Sequence, residues 1–183
     1  VVSVSRATGS VTYPANFILC GSMNPCPCGN YGSRDRECTC SISQIRRYRE
    51  KISGPLLDRI DLQVEVDDVK YDDLSSDRLE EPGEKVRERV NHARKIQRER
   101  FHGLPIRTNS EMGEAELRKF CRLDGECNAI LRAAFEQFHL SARARSRLIK
   151  VARTIADLDY SEDIRPKHVY EALSYRTYDK NDF

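Results

Sequence analysis

The sequence lacks any apolar run near the ~20 residues that a transmembrane helix needs, and no signal-peptide pattern opens it. It also lacks an excess of charge of one sign, because 31 lysines and arginines oppose 29 aspartates and glutamates over 183 residues. A net charge of +2 creates no general attraction to nucleic acid or to acidic membranes. With 39% hydrophobic residues, the composition predicts a soluble, cytoplasmic protein of one domain or two small ones, without a membrane partner.

The seven cysteines do not form the even, dense set that is typical of a secreted disulfide-rich domain. Four of them form two Cys-x-Cys pairs, Cys26 with Cys28 and Cys38 with Cys40, in a loop with few apolar residues. Four thiolates around one Zn²⁺ would complete a closed tetrahedral site and order that loop. Zinc ribbons more often use Cys-x-x-Cys, so two disulfides or free thiols stay open as alternatives. The other three cysteines follow apolar patterns and are predicted core residues: Cys20, Cys121 and Cys127.

The first third of the chain is predicted to be sheet and loop. Residues 1–5 and 10–13 favour β-structure and are separated by a short turn, which predicts a hairpin. The apolar run 16–21 is typical of a strand buried on both faces in a parallel sheet. Residues 60–66 alternate apolar and charged side chains, which predicts a strand with one exposed face. An Arg-rich helix is expected between these strands, within 41–52.

From about residue 67 the composition changes. Residues 67–83 are acidic and include Pro82-Gly83, which predicts a linker. The remainder, 84–183, has helical periodicity, with Asp124 and Ser141 as predicted N-caps and Pro166 in the first turn of the last helix. The predicted fold is therefore part of an α/β domain over 1–66, followed by an all-α helical domain. A P-loop ATPase core with a helical lid has this order, although order alone says little about function.

The charged residues outside these motifs are predicted to be solvated. The basic cluster 46–49 mixes arginines with a tyrosine, as nucleic-acid surfaces do, but a solvated helix face is the favoured interpretation. The basic residues between Arg87 and Arg100 are matched by glutamates and predict an exposed outer face. The four histidines are scattered and are predicted to be surface or helix-end residues.

Asn24 follows the predicted buried strand. Ligands of open α/β sheets bind beyond the carboxyl ends of the strands, so its side-chain amide could donate to a terminal phosphate or to the attacking water. The alternative is that Asn24 caps the turn before Pro25.

Two arginines stand at element boundaries. Arg59 directly precedes the predicted strand 60–66, and its rigid cation suits charge developing on a transferred phosphoryl group. A structural ion pair with Asp58 or Asp61 is the alternative. Arg143 follows the Ser141 cap, where a cation opposes the helix dipole unless an anion is bound there. A solvated arginine is the alternative for Arg143.

The motifs taken together resemble the magnesium-chelatase-like AAA+ ATPases, and within them the competence-protein ComM (YifB) branch. Residues 14–29, from Pro-Ala-Asn-Phe-Ile-Leu-Cys-Gly to Cys-Pro-Cys-Gly, resemble the sensor-1 region of that family. Residues 53–62, Ser-Gly-Pro-Leu-Leu-Asp-Arg-Ile-Asp-Leu, resemble its arginine-finger segment, and 140–158 resemble its sensor-2 lid helix. Residues 1–13 fall where this clade inserts a β-hairpin before sensor 1.

The resemblance implies roles for the three polar residues. Asn24 would be sensor 1, Arg59 the arginine finger that reaches a neighbouring subunit's nucleotide, and Arg143 sensor 2 on the lid. It also implies ATP and Mg²⁺ as bound groups and self-association in a ring, expected to be a hexamer. DNA is the expected track, with branch migration as the motor's work.

One departure from the family pattern bears on activity. The chain contains no Gly-x-x-x-x-Gly-Lys-Ser/Thr, and no apolar strand ends in the Asp-Glu expected to hold Mg²⁺. The chain also begins with Val rather than Met, so we expect it to be the C-terminal part of a longer protein and inactive alone. The alternative function is a zinc-stabilised protein-interaction module without ATPase activity.

Overall fold

The computed structural model describes residues 1–15, 17–66, 81–138 and 140–176. Contacts divide the chain into two compact units, Val1–Arg49 and Glu50–Phe183. Asn16, at the start of the predicted buried strand 16–21, lies outside the described residues. So do 67–80, most of the predicted linker, together with His139 and the chain end 177–183.

The first unit begins with an antiparallel hairpin of β1 (Val2–Arg6) and β2 (Gly9–Tyr13), joined by a two-residue turn. The register places Val2 opposite Tyr13, and both strands are exposed along their whole length. Cross-strand hydroxyl pairs add to the ladder, such as Ser3 with Thr12 at 2.9 Å. The predicted hairpin is confirmed.

The apolar run after the hairpin is not a strand. Residues 17–24 adopt neither helix nor strand, and Phe17, Ile18 and Leu19 expose 74%, 93% and 64% of their surface. A strand must pair its backbone N–H and C=O groups with a neighbour, and among the described residues the only ladder joins β1 and β2. The prediction of a buried strand here is therefore wrong, and the predicted α/β sheet is absent from the described residues. Cys20 is exposed, so its assignment to the core is wrong as well.

The first unit ends with a loop rich in cysteine and glycine and with α1 (Ile42–Arg49). Ser41 and Gln44 form a reciprocal cap at the start of α1: Ser41 Oγ accepts from the Gln44 amide at 3.3 Å, and Gln44 Oε1 accepts from the Ser41 amide at 2.9 Å. Ile45 on α1 is buried. The helix predicted within 41–52 is confirmed.

The second unit is built from helices. In chain order they are α2 (Gly54–Leu57), α3 (Gly83–Arg100), a 3₁₀ turn (Asn109–Glu111), α4 (Glu114–Phe120), α5 (Gly125–Phe138), α6 (Ala142–Leu158) and α7 (Pro166–Ser174). Helix α6 is central and packs against α3, α4, α7 and the 3₁₀ turn, while α5 also packs against α7. Among the described helices, none combines the length and the apolar character needed to cross a membrane.

The core of the second unit consists of buried apolar residues from α4, α5, α6 and α7 and from the segments that connect the helices. Removing these side chains from water is the main force that holds the helices together. The cluster contains Phe101, Met112, Leu117, Cys121, Cys127, Leu131, Leu148, Ile149, Ala152, Ile155, Ala156, Ile164, Val169 and Ala172. The prediction of Cys121 and Cys127 as core residues is confirmed.

The predicted helix boundaries of this unit rest on local chemistry and are confirmed. Ser141 has extended backbone and its Oγ accepts from the Ala144 amide at 3.1 Å, which starts α6. Asp124 Oδ1 accepts from the Cys127 amide at 2.7 Å, which starts α5. Pro166 is the first residue of α7.

Residues 60–66 do not form the predicted strand. Their backbone bonds instead with the end of α7: the Gln63 amide donates to the Tyr175 carbonyl at 2.9 Å, and Arg176 Nη1 donates to the Ile60 carbonyl at 2.9 Å. One amide and one carbonyl of this segment are thus satisfied by residues that follow a helix rather than by a partner strand. The prediction of a strand here is wrong.

Candidate functional site

The segment that carries Arg59 is bound at the start of α6. Ser141 Oγ donates to both carboxylate oxygens of Asp58 at 3.2 Å. Arg147, in the second turn of α6, donates from Nη1 to the Arg59 carbonyl and to Asp61 Oδ1, the latter at 2.6 Å. These contacts fix the backbone on both sides of Arg59 relative to the helix.

The Arg59 side chain itself is exposed. Its Nη1 donates to the Pro55 carbonyl at 2.6 Å, one turn earlier in the chain. The two nearby carboxylates pair with other arginines: Asp61 with Arg147 and Asp58 with Arg176. The alternative interpretation of Arg59, an ion pair with Asp58 or Asp61, is therefore not found among the described residues.

Arg143 lies in the first turn of α6 and is exposed. It makes no hydrogen bond or ion pair with any residue in the described ranges. Its cation stands near the positive end of the helix dipole, and the Asp58 carboxylate at this helix end bonds with Ser141 rather than with Arg143. Backbone N–H groups and a guanidinium at one helix end form a place where an anion can bind.

Asn24 lies in the first unit, in an exposed stretch without regular structure. Its side chain makes no hydrogen bond among the described residues, so the predicted alternative of a turn cap is not seen there. Arg59 and Arg143 belong to the second unit, and the contact between Asp58 and Ser141 joins their two segments at the start of α6. The gathering of all three residues around one nucleotide stays a prediction.

The four cysteines of the loop are brought together. The sulfur atoms of Cys26, Cys28, Cys38 and Cys40 all lie within 4.8 Å of one another. Cys26 Sγ is 3.3 Å from Cys28 Sγ and 3.8 Å from Cys38 Sγ, and Cys28 Sγ is 3.6 Å from Cys38 Sγ. All four are free thiols rather than disulfides. The cluster could therefore hold a metal ion.

A tight turn creates this arrangement. The amide of Gly29 donates to the Cys26 carbonyl at 3.1 Å, and Gly29 has φ of +85°, where a side chain would be strained. The turn brings the sulfurs of Cys26 and Cys28 close together, and both lie near the sulfur of Cys38 in the second pair.

The pKa shifts of the clustered thiols differ from one cysteine to the next. The backbone amide of Asn30 and then the Cys26 thiol lower the pKa of Cys28 to about 5. Desolvation is the main cause that raises the pKa of Cys40 to about 12. Once one sulfur is ionised, its neighbours resist ionisation because the charges repel. A bound cation would remove that repulsion and allow all four to be thiolates.

Helix α1 packs on the cysteine loop through its last residue. Arg49 Nε donates to the Pro25 carbonyl at 3.1 Å, and its guanidinium lies 4.9 Å from the centre of the Tyr31 ring. Arg49 is half-buried, so the prediction of a solvated face for 46–49 is wrong at this residue. The contact fixes Pro25, which lies between Asn24 and Cys26.

Sequence reasoning missed a buried ionic network. Asp157 is fully buried on α6 and accepts a bidentate pair from Arg100, with Nη1 at 2.7 Å from Oδ2. Arg153 Nε donates to Asp157 Oδ1 at 3.0 Å, and Asn109 Nδ2 donates to Oδ2 at 2.8 Å. The prediction that Arg100 belongs to a solvated face is wrong. The i, i+4 spacing of Arg153 and Asp157 within an apolar stripe was the available signal.

Arg153 also anchors the turn that follows α6. Its Nη1 donates to the Glu162 carbonyl at 2.7 Å and its Nη2 to the Ser161 carbonyl at 2.6 Å. No buried polar side-chain atom in the described part of the chain is left without a hydrogen bond.

Two family models match the chain in succession. "Magnesium chelatase, subunit ChlI" matches residues 1–74, and "Magnesium chelatase, subunit ChlI C-terminal" matches residues 80–176. The chain belongs to the magnesium chelatase ChlI family. The all-helical second unit agrees with the C-terminal domain of that family.

The relatives place this ChlI-family chain in the ComM/YifB branch. It is 40% identical over 182 residues to the "Uncharacterized protein YifB" of Escherichia coli (strain K12), covering 98% of this chain and 34% of that protein. It is 39% identical over 178 residues to the "Competence protein ComM" of Haemophilus influenzae, covering 96% of this chain and 33% of that protein. The chain thus spans about a third of the length of the curated relatives it matches. The predicted resemblance is confirmed.

Proposed function

We propose that this ChlI-family chain supplies the C-terminal part of an AAA+ ATPase core over 1–66 and a helical lid over 84–183, joined by the linker 67–83. ATP and Mg²⁺ would be held mainly by residues outside this chain, because its sequence contains no Gly-x-x-x-x-Gly-Lys-Ser/Thr. On this proposal the chain alone does not hydrolyse ATP. The proposal also includes a structural zinc ion bound by the four cysteines of the loop.

The observation that carries the proposal is the position of Arg59 and Arg143 at one end of α6. Asp58, next to Arg59, accepts from Ser141, two residues before Arg143. Both guanidinium groups are exposed, and neither pairs with a carboxylate in the described residues. Two exposed cations that pair with no carboxylate in the described residues suit contacts with nucleotide phosphates, because positioned charge supplies most of the catalysis in phosphoryl transfer.

Each residue has a separate task in this proposal. Arg59 is the arginine finger and stabilises charge on the γ-phosphate of a neighbouring subunit. Arg143 is sensor 2 and binds the nucleotide from the lid. Asn24 is sensor 1, and its amide orients the attacking water. A finger that acts on a neighbour requires a closed ring, for which we propose a hexamer.

The proposed track is DNA, with ATP-driven branch migration as the work of the motor. The support is the ComM branch, since one relative is a competence protein. Labelled forked DNA titrated into the full-length protein tests this part by fluorescence anisotropy. Binding should weaken steeply as salt rises, because phosphate contacts release counterions. Absence of binding at low salt would contradict the DNA role and leave the ATPase role unaffected.

The ATPase roles are tested by turnover of the full-length protein. Arg59→Ala should lower kcat by roughly 10³- to 10⁵-fold, the range for arginine fingers. Arg143→Ala should lower it by about 10²-fold, as for the loss of one stabilising donor. Arg145→Ala is the matched control, because Arg145 is exposed on the same helix but two residues on, where it faces another direction. Unchanged turnover in both test variants would favour an interaction module without ATPase activity.

Mixed rings test whether the finger acts on a neighbour. Subunits carrying Arg59→Ala are mixed with subunits carrying Asn24→Ala, each inactive alone. If the finger acts in trans, mixing restores turnover, because some sites combine an intact Asn24 with an intact Arg59 from the adjacent subunit. If both residues serve one subunit's own nucleotide, mixing restores none.

A further inference from the structure

We infer that Cys26, Cys28, Cys38 and Cys40 form a closed site for one Zn²⁺, and that this ion, rather than an apolar core, orders the segment that carries Asn24. The inference rests on the zinc part of the proposed function and deepens it by giving the ion a task. It requires nothing of the ATPase chemistry.

The first unit has almost no core to order it. Within residues 1–15 and 17–49, the buried apolar side chains are Cys26 and Ile45. Its hairpin strands are exposed on both faces, and the apolar run at 17–19 faces solvent. A unit of this size buries too little apolar surface to offset the entropy of ordering its chain, and natural proteins of this kind use a metal or disulfides instead.

The sulfur positions suit a tetrahedral zinc site. With Zn–S bonds of about 2.3 Å, the edge of the tetrahedron is about 3.8 Å. The observed separations of 3.3, 3.6 and 3.8 Å lie near that length. A disulfide would require about 2.05 Å. Four soft thiolate ligands select zinc over the hard cations Mg²⁺ and Ca²⁺, which prefer oxygen.

The cluster is tied directly to Asn24. Cys26 is two residues after Asn24, and its side chain is fully buried within the cluster. Pro25, between them, is held by Arg49 from α1. The ion therefore holds the chain at Cys26, directly after Pro25, and Arg49 of α1 holds the Pro25 carbonyl. Together the two contacts set the direction of the chain next to Asn24.

Metal content tests the site itself. The 183-residue chain, purified without chelator, should contain one zinc per chain by elemental analysis. Cys38→Ser and Cys40→Ser should lose it, whereas Cys20→Ser, an exposed cysteine of the same unit outside the cluster, should keep it. Cobalt-substituted protein should show the thiolate-to-cobalt charge-transfer band of a tetrahedral site, and that band should be absent in the two cluster variants. No metal, or iron in place of zinc, overturns the inference.

Hydrogen exchange tests the ordering role. Removing the ion with a chelator should speed amide exchange over residues 24–49 and leave α6 unchanged, because the second unit has its own apolar core. Returning zinc, but not Mg²⁺, should restore protection. If zinc can be removed without a change in amide hydrogen exchange near Asn24, the ordering role is overturned. Zinc retained in a protein whose turnover survives Arg59→Ala would refute the motor and leave this inference intact.

Discussion

The hydroxyl of Ser141 serves two elements at once. Its oxygen accepts from the Ala144 amide at 3.1 Å, and its hydrogen is shared with the Asp58 carboxylate, whose two oxygens lie 3.2 Å away. A hydroxyl can do both because it has one donor and two acceptor positions. The start of α6 and the position of the Arg59 segment are therefore set by the same atom.

Variants that remove this hydroxyl or the Asp58 carboxylate should show, in a stability measurement, that the two elements are coupled. Ser141→Ala should lower the free energy of unfolding by about 1 kcal/mol, the usual cost of a lost N-cap. Asp58→Ala should also destabilise the chain, since it removes the carboxylate that bonds with Ser141 and pairs with Arg176. The double variant should lose less than the sum by about 0.5 kcal/mol or more, because the residues are in contact. Urea unfolding of the four chains checks this, and strict additivity would contradict the shared role.

Loss of the Asp157 carboxylate should destabilise the second unit far more. Asp157→Ala leaves Arg100 and Arg153 buried without their shared anion, which should cost roughly 3–5 kcal/mol. Asp163→Ala is the control, because that residue is exposed, and it should change the free energy of unfolding by about 0.5 kcal/mol or less. Urea unfolding followed by circular dichroism measures both. A loss near 1 kcal/mol for Asp157→Ala would show that the network contributes little.

The N-cap of α5 tests the contribution of a single hydrogen bond, with a smaller expected change in the free energy of unfolding. Asp124→Ala removes the acceptor for the Cys127 amide and should cost about 1 kcal/mol. Asp124→Asn keeps a side-chain oxygen at the same place and should cost distinctly less. Thermal unfolding of the two variants distinguishes them, and equal losses would indicate that charge rather than the hydrogen bond matters at this cap.

Asp159 predicts a pH dependence of stability. Hydrogen bonds from Lys167, and then from His168, lower the pKa of its carboxyl to about 2. Because this value lies below the ordinary pKa of about 4, the ionised form favours the folded state. Its contribution is complete above about pH 4 and is lost as the pH falls towards 2.

The variant Asp159→Asn should therefore be less stable than the parent chain at pH 6, with the difference shrinking as the pH falls through this window. The difference should be small and sensitive to salt, since the carboxylate is partly exposed. Asp163→Asn serves as the control for general loss of negative charge. A difference that stays constant from pH 6 to pH 2 would contradict the prediction.

The sequence predicted those features that depend on near neighbours. Ser141, Asp124 and Pro166 mark helix starts through bonds or φ values within one turn, so their patterns suffice. The cysteine cluster was also predictable, because two short spacings bring pairs of sulfurs together. By contrast, residues 17–21 have the composition of a buried strand, but whether a strand forms depends on neighbouring strands that the residues do not reveal.

The candidate site was less accessible to local reasoning. The contact between Asp58 and Ser141 joins residues 83 positions apart, and that between Arg100 and Asp157 joins residues 57 apart. A helical pattern with alternating charges cannot show that one arginine turns inward to a distant carboxylate. The roles proposed for Asn24, Arg59 and Arg143 came from family resemblance, and the structure adds the contact between Asp58 and Ser141, which joins the segments of the two arginines.

Arg153 donates to the carbonyls of both Ser161 and Glu162. The connection between α6 and α7 must therefore keep its length. The bonds from Arg153 do not depend on the side chains at these two positions, because only main-chain oxygens are used. Adding or deleting a residue there, however, would withdraw an oxygen from a buried cation. Even an insertion rich in glycine should therefore be poorly tolerated in this surface turn.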